Sequence, residues 1–431
     1  MPALLFALSL THLAPTAHVA DEAESQAVDR NQSQSVVTIN RNGIPITDDD
    51  LERLLADHKD VEDLQLSGTS ITDTGLAHLQ GLNRLRWLNI SLTSVTDAGL
   101  GQLKRLPSLQ SIALWRTPIS DNGLRHLKGL PSLQDLVLGE GPGGPGLLSD
   151  AGIANLAEIK TLRSLHLAGA PYTEAALAHL KRIRGLRRLS LELSKLGDAG
   201  LSSLTDLGGL QELYIIGGQF TKAGLAHLRH LAGLRVLKIR RRALSDGDLA
   251  FVSGLTNLED LMLPTAGITD AGLVHLQGLK RLKSLEITDT NVGDAGLVHL
   301  KGLTELTSLY VGGTKVTDVG LSHLKALIGL QTLDLSDTGI TDAGLIHLRG
   351  MPGLKRLFLR RTNITNAGLV YLRGLKNLER LDLSSTKVTD DGLAQVMELP
   401  RLEEISLEDT SVTTARIDAL RKAFPRVTIN N

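Results

Sequence analysis

The stretch LTSLYVGGTKVTDVGLSHLKALIGL, residues 306–330, changes its hydrophobic period halfway along. Leu306, Leu309 and Val311 follow the pattern L-x-x-L-x-L. Alternation turns Leu309 and Val311 inward, while Ser308, Tyr310 and Gly312 face outward on a short strand. Gly313 and Thr314 end that strand, and Val316 returns to the core. Leu321, Leu324 and Leu327 then recur at spacing three, which predicts one side of a short helix. Thr317 stands where a helix N-cap belongs, and Asp318 is favoured by the helix dipole in the first turn.

This unit recurs along the chain. Its central strand leucine has counterparts at Leu64, Leu88, Ile112 and Leu136, then Leu165, Leu189, Leu213, Leu237, Leu261, Leu285, Leu309, Leu333, Leu357, Leu381 and Ile405. The spacing is 24 throughout, except for 29 between Leu136 and Leu165. A fixed period of this length predicts a solenoid in which each unit covers the apolar face of the next. A repeat also removes the usual size limit on one core, so 431 residues read as one continuous array. Its ends are expected to be atypical, because a terminal unit lacks a neighbour. Val37, Ile39, Leu51, Leu54 and Leu55 form an imperfect first repeat over residues 36–60. Residues 61–412 are the array, and 413–431 supply a last helix and strand.

With that wording the chain, over roughly residues 36–431, resembles the leucine-rich repeat family. The family consensus has Asn or Cys three residues after the last strand leucine. This sequence has Thr at 69, 93, 117, 290, 314, 338, 362, 386 and 410. A threonine hydroxyl also satisfies backbone groups, so the substitution reads as a structural variant. The T-x-I/V-T-D-A-G-L-x-H-L wording looks like bacterial 24-residue repeats related to the cysteine-containing subclass. The resemblance implies an α/β horseshoe of about 15 repeats, with a parallel β-sheet on the concave face and short helices on the convex face.

Composition narrows the function. With 46 basic and 47 acidic residues the chain has no global field for nucleic acid or anionic membrane. The absence of cysteine excludes disulfides, thiolate metal sites and a cysteine nucleophile. The apolar stretch from Ala3 to Ala14 is too short to span about 30 Å of hydrocarbon and fits a signal peptide over residues 1–20. Residues 21–35, DEAESQAVDRNQSQS, read as a flexible polar leader. Export to the periplasm, cell surface or medium is the expectation, with the cytoplasm as the alternative, and with no transmembrane segment.

Several constellations dissolve into the repeat. Eight histidines, His78, His126, His179, His227, His275, His299, His323 and His347, share one helix position. Zinc ligands must converge on one point at about 2.1 Å, whereas neighbouring repeats run side by side. Residues 139–146, GEGPGGPG, order Gly139, Gly141 and Gly144 as in a dinucleotide fingerprint, but without its βαβ context. They mark the five-residue insertion behind the single 29-residue spacing. Ser, His and Asp recur in many units, so a triad drawn from them carries no weight. No enzyme activity, metal or cofactor is expected.

What remains are outward strand positions that depart from the formula. Only 3% of residues are aromatic, yet Trp87, Trp115, Tyr214, Tyr310 and Phe358 all fall there. Aromatic side chains anchor interfaces by burying much area with few rotors to freeze. Trp87 and Trp115, on adjacent strands near Val137 and the insertion, suggest one patch. Tyr214, Ile216, Val236 and Met262 suggest a second, flanked by Lys238, Arg240, Arg241 and Arg242. Arg188, Arg356, Arg360 and Arg380 add positive charge, interspersed with Glu192, Glu212 and Asp382. The leading expectation is a monomeric, non-catalytic scaffold that binds a protein partner, not nucleic acid, on the concave sheet. The alternatives are a substrate adaptor of a ubiquitin-ligase-like complex, implied by the subclass resemblance, and a structural envelope or surface protein without a discrete ligand.

Overall fold

A computed structural model describes residues 37–140, 147–169, 172–193, 195–240, 244–264 and 267–431. The N-terminal signal-like stretch, the polar leader, Gly141, Gly144, Arg241 and Arg242 lie outside the described residues. The chain divides into two compact units, one ending at Leu186 and one running from Arg187 to Asn431.

The first unit carries strands β1 (Thr38–Asn40), β2 (Asp63–Gln65), β3 (Trp87–Asn89), β4 (Ser111–Trp115), β5 (Asp135–Gly139) and β6 (Ser164–Ala168). Each pairs in parallel with the next, and the anchors stay level, as in Leu64 with Leu88 and Leu136 with Leu165. The second unit carries β7 (Arg188–Glu192), β8 (Glu212–Ile216), β9 (Val236–Arg240), β10 (Asp260–Met262), β11 (Ser284–Glu286), β12 (Ser308–Tyr310), β13 (Thr332–Asp334), β14 (Arg356–Phe358), β15 (Arg380–Asp382), β16 (Glu404–Ser406) and β17 (Thr428–Asn430). These also pair in parallel and in register from β7 through β17. Between strands the chain crosses over through short α- or 3₁₀-helices, giving the α/β leucine-rich-repeat solenoid that the period implied.

The core of each repeat follows its wording. Leu306, Leu309, Val311, Val316, Leu321, Leu324 and Leu327 are all 0% exposed. Each such side chain contributes about 1.5–3 kcal/mol of gross burial. All nine threonines after the strands act alike: each hydroxyl donates to the carbonyl oxygen three residues back, as Thr314 does to Val311 at 2.6 Å. The residue just before each threonine has a positive φ. Gly68 and Gly313 take that conformation freely, but Leu92, Arg116, Asp289, Asp337, Arg361, Ser385 and Asp409 take it at φ 52° to 55°. A left-handed non-glycine residue costs about 1–2 kcal/mol. The threonine hydrogen bond, about 0.5–1.5 kcal/mol, offsets much of that.

The aspartate at each helix start does more than favour the dipole. In most repeats it reaches forward to the next one, accepting a backbone N–H on one oxygen and the hydroxyl of the same residue on the other. Asp73 holds Thr96 this way, Asp97 holds Ser120 and Asp121 holds Ser149 in the first unit. In the second unit Asp246 holds Thr269, Asp294 holds Thr317 and Asp318 holds Thr341. Thr317 is the N-cap residue of its helix, as expected, but its hydroxyl donates to Asp294 and makes no hydrogen bond to its own helix. The contact also favours the glycine found three residues after the threonine in most repeats, although Ala176 and Arg416 take that place after Thr173 and Thr413. A Cβ on Gly272 would stand 2.6 Å from Asp246 Oδ1, and one on Gly296 would stand 2.6 Å from Asp270 Oδ1.

Two exceptions show the rule from the other side. Lys222 replaces the aspartate, and the following repeat has Asp248 in the glycine place, accepting the N–H and hydroxyl of Ser245 at 2.8 Å each. At the first described helix, Asp50 serves Thr47 in the same way, at 2.9 and 2.8 Å. At these two places, where no aspartate reaches in from the preceding repeat, the glycine place is filled by an aspartate that caps its own helix.

Candidate functional site

The register fixes which outward side chains stand together on the sheet face. In the first unit Trp87 is level with Ser111, whereas Trp115 is level with Gly139 and Ala168. Trp115 therefore lies four residues further along its strand, about 13 Å from the level of Trp87. The two tryptophans are not one patch, which corrects the reading from strand adjacency alone. Between them Asn89, Ser111 and Ala113 are only 1–3% exposed, so no apolar floor is open there. Gly139 has a role that its place in a glycine run concealed. A Cβ on it would come 2.7 Å from Trp115 Cδ1, so the indole lies against the bare backbone of the next strand. Val137 is level with His166, whose imidazole burial holds at about 4, well below the usual histidine range.

The residues of the second patch lie on three neighbouring strands, with Lys238 at the centre of the row. Tyr214, Lys238 and Met262 are level on β8, β9 and β10, Ile216 is level with Arg240, and Val236 lies between Glu212 and Asp260. Its charges are largely paired within the face, however. Arg188 grips Glu212 with Nε at 2.6 Å and Nη2 at 3.1 Å. Lys238 meets Asp260 at 2.8 Å, Arg360 meets Glu408 at 3.2 Å, and Arg380 meets Glu404 at 3.3 Å. The excess of positive charge anticipated there is thus mostly neutralised, the second correction to the sequence reading. Burial pushes the Glu212 carboxyl up, but the Arg188 guanidinium more than offsets this and leaves it below the usual range. The Tyr214 hydroxyl donates to Glu212 at 3.2 Å, and burial followed by that carboxylate raises its pKa.

Tyr310 and Phe358 belong to the same row as Tyr214, further along the second unit. Beside them stand Glu286 and Asp334, which the search for aromatics and cations passed over. Burial pushes both carboxyls above the usual carboxylate range. The sequence signal was present, an acid at the same outward place on alternate strands, with Asp382 continuing it.

The repeated histidines stay on the helix side. His275, His299, His323 and His347 are half-buried, and His299 Nδ1 lies 2.6 Å from Gln277 Nε2. Among the described residues no group of three or more His, Asp or Glu could hold a metal ion, and no helix is long and apolar enough to cross a membrane.

These features agree with what the chain resembles. Leucine-rich repeat family models match residues 352–412 and, for a second form of the repeat, residues 280–300 and 330–348. An internalin of Listeria monocytogenes is similar over 81% of this chain and 88% of its own, at 24% identity and a TM-score of 0.50. A leucine-rich repeat protein of Leptospira interrogans is similar over 90% of this chain and 100% of its own, at 17% identity and a TM-score of 0.54. No curated protein sequence matches the chain. Fold, repeat wording and family models converge: the chain is a leucine-rich repeat protein. The matches do not distinguish the cysteine-containing subclass.

Proposed function

We propose that the protein is a non-catalytic scaffold that binds a protein partner on its sheet face. The observation that carries this reading is the row of large side chains on the second unit, where Tyr214, Met262, Tyr310 and Phe358 occupy outward positions and stay half-exposed. The fold does not need them there, since the core is complete beneath, with Leu213, Leu261, Leu309 and Leu357 all at 0% exposure. Half-covered aromatics with few rotors favour an interface, because covering them removes apolar area at low entropic cost. Export belongs to the same reading and rests on the apolar stretch from Ala3 to Ala14.

The test is affinity capture from native extract with the wild-type chain and the Tyr214→Ala, Phe358→Ala double variant, followed by N-terminal sequencing of the mature protein. Loss of the captured partner with an unchanged melting curve supports the assignment. Undiminished capture sinks it. Trp115 is less suited to this test, because its ring packs on Gly139 and its removal would disturb the fold.

A further inference from the structure

Strands β11 to β15 set five side chains level on the sheet face, Glu286, Tyr310, Asp334, Phe358 and Asp382, with acid and ring alternating from strand to strand. Among the described residues none of the three carboxylates is in an ion pair: Lys238, Arg360 and Arg380 pair with Asp260, Glu408 and Glu404, and Lys238 and Arg240 act on Glu286 only from beyond ion-pair distance. Asp382 is only 8% exposed, and its single hydrogen bond comes from the Ser384 N–H at 2.8 Å. The Ser384 hydroxyl, on the same face, is fully buried and has no hydrogen-bond partner. Asp334 accepts the Ser336 N–H on Oδ1 at 2.9 Å. Its Oδ2 borders the space left by Gly312, 3.1 Å from where a Cβ would stand there.

Desolvated carboxylates held in no close ion pair are costly, and a cation brought into contact from outside would relieve that cost. The flanking residues Tyr310 and Phe358 are aromatic, and an aromatic ring attracts a cation over its face. The spacing narrows the choice further. Acids on every second strand recur at about 9.6 Å, given strands about 4.8 Å apart. A polyproline II segment rises about 3.1 Å per residue with three residues per turn, so every third side chain falls on one line at about 9.3 Å.

We propose that this row binds a basic polyproline II segment of a partner, with Lys or Arg at every third position lying over Glu286, Asp334 and Asp382 between the two rings. This names the partner chemistry of the sheet-face scaffold and rests on that reading. Arg356 on the adjacent row opposes the partner's charge and limits its affinity.

The experiment measures fluorescence anisotropy of fluorescein-labelled (Lys-Pro-Pro)4 and (Glu-Pro-Pro)4 titrated with the full chain. The lysine peptide should bind and weaken with added salt, and the glutamate peptide should not bind. The Asp334→Asn, Asp382→Asn double variant keeps an acceptor oxygen for Ser336 and Ser384, and should lose about tenfold in affinity or more with its melting temperature intact. Arg356→Gln should tighten binding about two- to threefold. Absence of binding, equal binding of the acidic peptide, or indifference to the double variant would overturn the proposal. If those outcomes occur while Tyr214→Ala, Phe358→Ala still abolishes capture, the scaffold reading stands and the basic partner falls. Capture that persists in that variant refutes the scaffold reading itself.

Discussion

Replacing Gly272 by Ala should destabilise the protein although alanine is the better helix former. The intrinsic preference favours the substitution by about 1 kcal/mol. Against this, the new Cβ would stand 2.6 Å from Asp246 Oδ1 and 3.2 Å from Ile268 Cγ2 and Leu249 Cδ1. Asp246 must then release the Thr269 N–H and hydroxyl, now bonded at 2.7 and 2.6 Å. Hydrogen bonds to a charged acceptor contribute about 1.5–3 kcal/mol each, and partial exposure favours the low end, about 3 kcal/mol for the pair. The expected net loss is about 2 kcal/mol. Ala176, facing Asp150, holds a Cβ in the same place while Asp150 keeps both bonds to Thr173, so local adjustment relieves part of the contact. The decisive assay is a double-mutant cycle read by urea unfolding with circular dichroism. In an Asp246→Ala background, Gly272→Ala should become neutral or stabilising, giving a coupling of about 2–3 kcal/mol. An equal cost in both backgrounds would show that the aspartate is not what requires the glycine.

Three further outcomes are expected. Leu92→Gly removes a left-handed leucine at φ 55° that is 43% exposed, and should stabilise by about 0.5–1 kcal/mol after the glycine entropy penalty; a shifted urea midpoint in the opposite direction refutes the strain argument. Thr314→Val keeps the shape but leaves the Val311 carbonyl oxygen without its hydroxyl donor, and should lower stability by about 1 kcal/mol in the same assay; an unchanged midpoint would show that this hydrogen bond contributes nothing net. Glu259, clasped by Arg235 at 2.8 Å and Lys283 at 3.0 Å, is held at about 2 from an ordinary 4.5 by those hydrogen bonds. Because its folded pKa is depressed, its contribution is present above about 4.5 and is lost as pH falls toward 2. Glu259→Gln should therefore flatten the acid-unfolding profile in that window, and an unaltered slope counts against the clamp.

The core and the strand-turn-helix order were legible because burial imposes a pattern on residue type: every leucine that defined the period is buried. The threonine turns were legible in part. Their hydroxyl bonds follow from the residue, but the left-handed residue before seven of the nine is Leu, Arg, Asp or Ser, and only Gly68 and Gly313 announce it. The aspartate's partner was hidden because it lies one repeat away, and a contact between repeats looks in sequence like conservation within each. The same subtraction of everything periodic hid Glu286 and Asp334. Outward position was read correctly for Tyr214, Ile216, Val236 and Met262. The level along the strand was not read for Trp87 and Trp115, since adjacency in order says nothing of height.

The forward-reaching aspartate also bears on how such an array changes length. Most units, copied whole, bring an acid for the successor and a hydroxyl for the predecessor, so such duplicates fit against one another and their deletion closes without a scar. The junction holding Lys222 and Asp248 lacks this freedom. Losing the repeat with Lys222 alone would bring the Asp198 carboxylate against Asp248, and losing its neighbour alone would leave Lys222 facing Thr269 and Gly272. Those two repeats are expected to be gained or lost together, which makes them a fixed landmark in an otherwise extensible chain.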